Sequence, residues 1–178
     1  QIRNWAYLNK NKADVSSELR EYATNIEESA SVLYSVGPWS DRPEHVVELD
    51  PMLDRTLKTI TRSRDILPEF WLGAHGAHIR VNIAEFQHVF RQLVSNAARA
   101  MDASAEKKII IVSRQVSGDM VEILFEDSGP GISDDVRLSI LQRRVTTKER
   151  GGYGLLLTRQ MIEGMQGKIK LMPFQKGK

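Results

Sequence analysis

The chain has 178 residues, 41% hydrophobic and 27% charged, which suits one medium domain with a real core and an attached helical element. A formal net charge of +2 is too small to argue for nucleic acid or an anionic membrane as the main partner, and the lack of cysteine excludes disulfides and thiolate metal sites. No apolar run approaches the ~18 residues of a membrane span and no signal-peptide pattern opens the chain, while Gln at the first position points to a piece of something longer.

Residues 14–36 carry Val15, Leu19, Tyr22, Ala23, Ile26, Ala30 and Leu33 at three- and four-residue spacing, with no Gly or Pro, and read as an amphipathic helix. Gly37-Pro38 stops it, and residues 39–45 form a polar linker. A second helix is expected over about residues 51–63, with Pro51 in its first turn and Met52, Leu53, Leu57 and Ile60 inward. Residues 67–76 are aromatic and irregular and support no assignment. Ala77-His78-Ile79-Arg80-Val81 alternates like a short strand.

Asn82, with Glu85 three residues on, reads as the N-cap and reciprocal partner of a long helix. Ile83, Phe86, Val89, Phe90, Leu93, Val94, Ala97 and Met101 make its apolar face, and His88, Gln92, Asn96 and Arg99 lie on one polar stripe beside it. Such a stripe is ordinarily a solvated flank. Asn96 differs, because it sits in the small, apolar run Val94-Ser95-Asn96-Ala97-Ala98, where an amide of low helix propensity needs a partner.

A hairpin follows, with Ile109-Ile110-Ile111-Val112 and Val121-Glu122-Ile123-Leu124-Phe125 flanking Ser117-Gly118-Asp119. The second strand leads into Glu126-Asp127-Ser128-Gly129-Pro130-Gly131-Ile132. That is a carboxylate at a strand end, then a Gly-x-Gly turn that a flat ligand can approach closely; by itself it is also an ordinary bend. Ser133-Asp134-Asp135 caps a short helix to about Arg143. The basic, Gly-rich loop 144–154 then opens a helix through Leu155, Leu156, Leu157, Met161 and Ile162. Glycines feeding a helix N-terminus make an anion site, and Arg143, Arg144, Lys148 and Arg150 suit polyphosphate, although a solvated linker has the same composition. Gly164 and Gly167 end the helix, and residues 168–172 read as the start of one more strand.

Taken together, an amide on a helix can hold Mg²⁺ against phosphates, an acid on a strand end can accept from an exocyclic amine, and a basic loop can wrap a triphosphate. Neither the Rossmann nor the Walker fingerprint is present. The order of the pieces resembles the histidine-kinase-like ATPases, the GHKL or Bergerat-fold family. Gln92-Leu93-Val94-Ser95-Asn96-Ala97-Ala98-Arg99-Ala100-Met101 looks like the N box and Glu126-Asp127-Ser128-Gly129-Pro130-Gly131-Ile132 like the G1 box. Thr146-Thr147-Lys148, then Gly152-Tyr153-Gly154-Leu155, look like the end of the F box and the G2 box of bacterial sensor kinases.

The resemblance covers about residues 47–173. It implies an α+β fold, a two-layer α/β sandwich with a mixed sheet covered by three helices, preceded by an N-terminal helix. Residues 1–37 would then be the second helix of a dimerisation hairpin, 38–46 a linker and 47–178 the ATP-binding catalytic domain. It also implies the cofactors ATP and Mg²⁺. Asn96 would ligate the metal, and Asp127 would bind the adenine amine, with Gly129 and Gly131 making room for the base and Ile132 also contacting the nucleotide. Arg99, Ala100, Thr146, Thr147, Lys148, Gly152, Tyr153, Gly154 and Leu155 would complete the nucleotide site, residues 132–151 would form a lid, and Asn96, Gln92 and Lys148 would serve the chemistry. That chemistry would be transfer of the γ-phosphoryl group to a histidine. The implied partners are the phosphoacceptor hairpin of the parent kinase, a response-regulator receiver domain and a second copy in a full-length homodimer, with the domain cytoplasmic and room for a membrane anchor in the parent.

Four departures bear on this. Tyr153 stands where the family has a small residue, Leu156 where it has a further glycine, and Arg144-Val145 where it has an aromatic pair. Gln92 stands where hydrolysing relatives carry a Glu, and a neutral amide cannot take a proton from water, which argues against fast autonomous hydrolysis. Tyr153 and Leu156 keep open a degenerate module acting through protein contacts, and another ATPase or serine kinase of the family is the further alternative. None of His45, His75, His78 and His88 has the His-Glu/Asp setting of a phosphoacceptor, so the acceptor is expected outside this chain.

Overall fold

A computed structural model of the chain describes residues 43–62, 66–104, 106–116, 119–133, 137 and 154–172. The predicted helix over 14–36, its linker to residue 42, most of the short helix before Arg143 and the loop 144–153 lie outside these. The described chain runs β1 (His45–Glu48), α1 (Leu49–Thr61), β2 (Leu67–Gly73), β3 (His78–Val81), α2 (Ile83–Ala100), β4 (Lys108–Gln115), β5 (Val121–Asp127) and α3 (Gly154–Gly164).

The strands form two sheets. β1 pairs antiparallel with β3, and β2, β4 and β5 make a mixed sheet in that order, parallel between β2 and β4 and antiparallel between β4 and β5. Parity decides the faces. Ile109, Ile111 and Ser113 of β4 are buried, and Phe70 and Leu72 of β2 and Ile123 and Phe125 of β5 pack inward beside them. The inner face meets α1, α2 and α3 through Leu49, Leu53, Leu57, Phe86, Phe90, Val94, Ala97 and Met161. Each large apolar side chain so removed from water stabilises the fold by about 1.5–3 kcal/mol.

Among the described residues the expected elements hold with four adjustments. His45 and Val46, read as the end of a linker, belong to β1, and α1 starts at Leu49 because its first N–H donates to Ala77 O at 2.9 Å. Residues 67–73, left unassigned, form β2, an edge strand among the described residues. That edge place tolerates Pro68, and the outward-facing Leu67 and Trp71 hide the alternation. Residues 168–172, expected to begin a strand, have no regular structure, since alternation makes a strand only where a neighbour completes the ladder. The end of α3 turns through Gln166 at φ 60°, with Gly167 N–H donating to Ile162 O, so the left-handed residue lies between the two predicted glycines. Among the described residues no helix is long and apolar enough to cross a membrane.

One buried polar junction ties the helical layer to the sheet. Ser113 Oγ donates to Asp50 Oδ1 at 2.5 Å and accepts the Gly73 N–H at 3.2 Å, which joins α1, β4 and β2. Asp50 Oδ2 has no hydrogen-bond donor among the described residues, and His75 Nδ1 stands 3.5 Å away. Ser113→Ala is expected to lower the unfolding free energy by about 1–3 kcal/mol in a urea titration, because a buried carboxylate loses its donor. Combined with Asp50→Ala, the loss should fall short of the sum.

Candidate functional site

The register of β4 and β5 builds the first half of the site. Asp127 pairs with Ile109, whose side chain is fully buried, and paired residues of antiparallel strands share a face. The Asp127 carboxylate is therefore carried on the helical side at the end of β5. Its Oδ1 accepts the Gly129 N–H at 2.9 Å, a local turn that fixes the side chain. Gly129 lies against the last turn of α2: a Cβ there would stand 2.6 Å from Asp127 Oδ1 and 3.1 Å from the Ala100 Cβ. Gly131 takes φ +77°, open to glycine at little cost, and leads into the half-buried Ile132.

Ser128 staples this turn to the start of β4, a role that its type alone, a common turn former, did not signal. Its N–H donates to Lys108 O at 3.0 Å, while its Oγ accepts the Lys108 N–H at 3.1 Å and donates to Glu106 O at 3.0 Å. The buried Met101 sulfur is 3.1 Å from the same hydroxyl. The Lys108 ammonium pairs with Glu69 on the solvent side of the sheet; their hydrogen bond holds the Glu69 carboxyl below its usual 4.5 and the Lys108 ammonium above its usual 10.5. A depressed carboxyl loses its contribution as pH falls through its folded value, and a raised ammonium as pH climbs through its own, so the pair is intact across neutral pH. Exposure keeps it a minor contributor.

The second half lies along the polar stripe of α2. Asn96, half-buried, has the partner its surroundings require: its Oδ1 accepts from Arg99 Nη2 at 2.9 Å. One turn earlier, Gln92 Nε2 is 3.3 Å from His88 Nε2, and Gln92 Oε1 is buried without a partner among the described residues. A Cβ on Gly154 would come within 3.0 Å of that oxygen, so the stripe faces the start of α3. Leu155 is half-buried in the first turn of α3, and Leu157, Thr158 and Met161 seat the helix in the core. The structure thus brings Asp127, Gly129 and Ala100 together at one end, and Gln92 and Gly154 together at the other. Thr146, Thr147, Lys148, Gly152 and Tyr153 lie outside the described residues. His88 and Gln92 meet one turn apart on the predicted stripe, as their four-residue spacing implies.

The family model described as "Histidine kinase-, DNA gyrase B-, and HSP90-like ATPase" matches residues 81–178. This chain belongs to that family. The FixL sensor protein of Bradyrhizobium diazoefficiens is 29% identical over 109 residues, covering 61% of this chain and 22% of that protein. Among solved structures, the mycobacterial sensor histidine kinase MprB aligns over 70% of this chain and 81% of its own at TM-score 0.58 and 21% identity. Full-length ShkA, solved in complex with AMPPNP, aligns over 93% of this chain and 38% of its own at TM-score 0.60 and 18% identity. The fold is that of histidine-kinase catalytic domains, and the chain spans less than a third of the length of the curated sensor kinases it matches.

Gly131→Ala is expected to destabilise the protein by about 1–2 kcal/mol, read by thermal or urea unfolding, since a side chain opposes left-handed backbone.

Proposed function

We propose that this chain binds Mg·ATP and presents its γ-phosphoryl group to a histidine carried by another element of a sensor kinase. The observation that carries this is the Asp127–Gly129–Ala100 contact: a carboxylate fixed by the Gly129 N–H, beside a glycine packed so closely on the end of α2 that a Cβ there would meet Asp127 Oδ1 at 2.6 Å and the Ala100 Cβ at 3.1 Å. Asp127 would accept from the adenine amine, with Ile132 and the 129–131 backbone along the base. Asn96 offers a hard amide oxygen suited to Mg²⁺. Among the described residues no group of three or more His, Asp or Glu side chains is placed to hold a metal, so the remaining ligands would come from phosphates and water. The metal's contribution when bound is to neutralise charge on the transferring phosphoryl group.

The other roles are assigned to this chain's own groups. Arg99, Thr146, Thr147, Lys148, Gly152, Tyr153, Gly154 and Leu155 would hold the triphosphate by charge and by N–H groups at the start of α3. Arg99 would exchange its bond to Asn96 for a phosphate oxygen. In the transfer, a ring nitrogen of the acceptor histidine forms a bond to the γ-phosphorus as the bond to the β,γ-bridging oxygen breaks, and ADP leaves with that electron pair. Gln92, a neutral amide, leaves attacking water without a base, which favours transfer over hydrolysis. His45, His78 and His88 sit on β1, β3 and α2 and His75 in a loop, so the acceptor would belong to a dimerisation hairpin. A receiver domain and a second kinase copy are the further partners proposed, in a cytoplasmic setting.

Calorimetric titration tests the reading. Asp127→Asn is expected to weaken Mg·ATP binding on the order of 10- to 100-fold, the range of a lost charge-assisted hydrogen bond. Gly129→Ala, which pushes the carboxylate aside, should weaken it by about tenfold or more while the protein still melts cooperatively. Binding indifferent to both changes would sink the assignment. Given an acceptor hairpin in trans, the wild-type chain should produce acid-labile phosphohistidine and Asp127→Asn should not.

A further inference from the structure

Gln92 and His88 stand one turn apart on α2, and the two ends of the Gln92 amide meet different neighbours. Nε2 lies 3.3 Å from His88 Nε2. Oε1 is buried, has no hydrogen-bond partner among the described residues, and faces the place where Gly154 opens α3. The first N–H groups of a helix lack intrahelical acceptors, and the positive end of its dipole lies there. An amide oxygen is favoured at such a point and an NH₂ group is not. With Oε1 toward α3, the NH₂ must meet the imidazole, so His88 Nε2 must accept, in the tautomer protonated on Nδ1.

We propose that His88 is a positioning residue: by accepting from Gln92 it turns the Gln92 carbonyl toward the first turn of α3 and so steadies that turn for the phosphates of Mg·ATP. This rests on the reading of Asn96 and the Gly154 end as the phosphate half of the site. His88 acts through Gln92 and touches no phosphate itself. A Phe at this position keeps an aromatic ring and loses the acceptor. A Gln restores an acceptor at the same one-turn spacing.

The test compares wild type, His88→Phe and His88→Gln by hydrogen–deuterium exchange at residues 154–157 without nucleotide, and by calorimetric titration with Mg·ATP. His88→Phe is expected to speed that exchange and raise the Mg·ATP Kd by about fivefold, the size of one neutral hydrogen bond, with His88→Gln within about twofold of wild type. Equal behaviour of the Phe and Gln variants, whether both normal or both impaired, overturns the proposal. Gly154→Ala is an independent arm. Helix propensity alone would slow exchange in the first turn, whereas a methyl pressed against Gln92 Oε1 speeds it, and slower exchange overturns the proposal. If the wild-type chain binds no Mg·ATP, the phosphate-site reading falls, while the exchange arm still decides whether His88 holds Gln92 against α3.

Discussion

The register between β4 and β5 is the constraint on which the site depends. Ile109 opposite Asp127, Ile111 opposite Phe125 and Ser113 opposite Ile123 put every inward residue of both strands under the helices. A slip of one residue would send Ile109 and Ile111 to solvent and carry Asp127 to the outer face, away from Ala100 and the end of α2. The loss of two fully buried isoleucines makes that slip costly, so the same burial that stabilises the sheet aims the carboxylate. Ser128 then converts register into position, since three of its hydrogen bonds reach only the 106–108 backbone.

The helix α2 carries both halves of the site, and they differ in how firmly they are held. At its C-terminal end the Asp-Ser-Gly turn is locked by backbone hydrogen bonds of 2.9–3.1 Å and by contact with Ala100. Further up the stripe the groups are side-chain amides, one paired to Arg99 and the other suspended between an imidazole and a helix start. A rigid end and an adjustable end are what the proposed reading asks of the site: preorganisation to select a base, and rearrangement to deliver a phosphoryl group.

Much of this was readable in the residues. Asn82 caps α2 as its spacing predicted, with its side chain accepting the Glu85 N–H, and Phe86, Val89, Phe90, Val94, Ala97 and Met101 are buried as the period required. The hairpin and its Asp-Ser-Gly-Pro-Gly turn were equally plain, because period-two patterning and turn chemistry are local. β2 was not readable: its apolar residues fall on both faces, and its partner in the ladder lies some forty residues on. The Asp50–Ser113 bond was also invisible, since its two residues are 63 apart and nothing local marks either as buried.

By itself the sequence determined which segments can be helices or strands, the family, and the chemical types available at the site: a carboxylate, amides, glycines and a basic loop. All of those follow from short-range periodicity and from motif order. Tertiary structure alone decided that Ala100 closes on Gly129, that Ser128 staples the turn to β4, and that Gly154 comes up against Gln92. Those are contacts between elements far apart in the chain, fixed by burial of a shared core and by strand register, which no local pattern encodes.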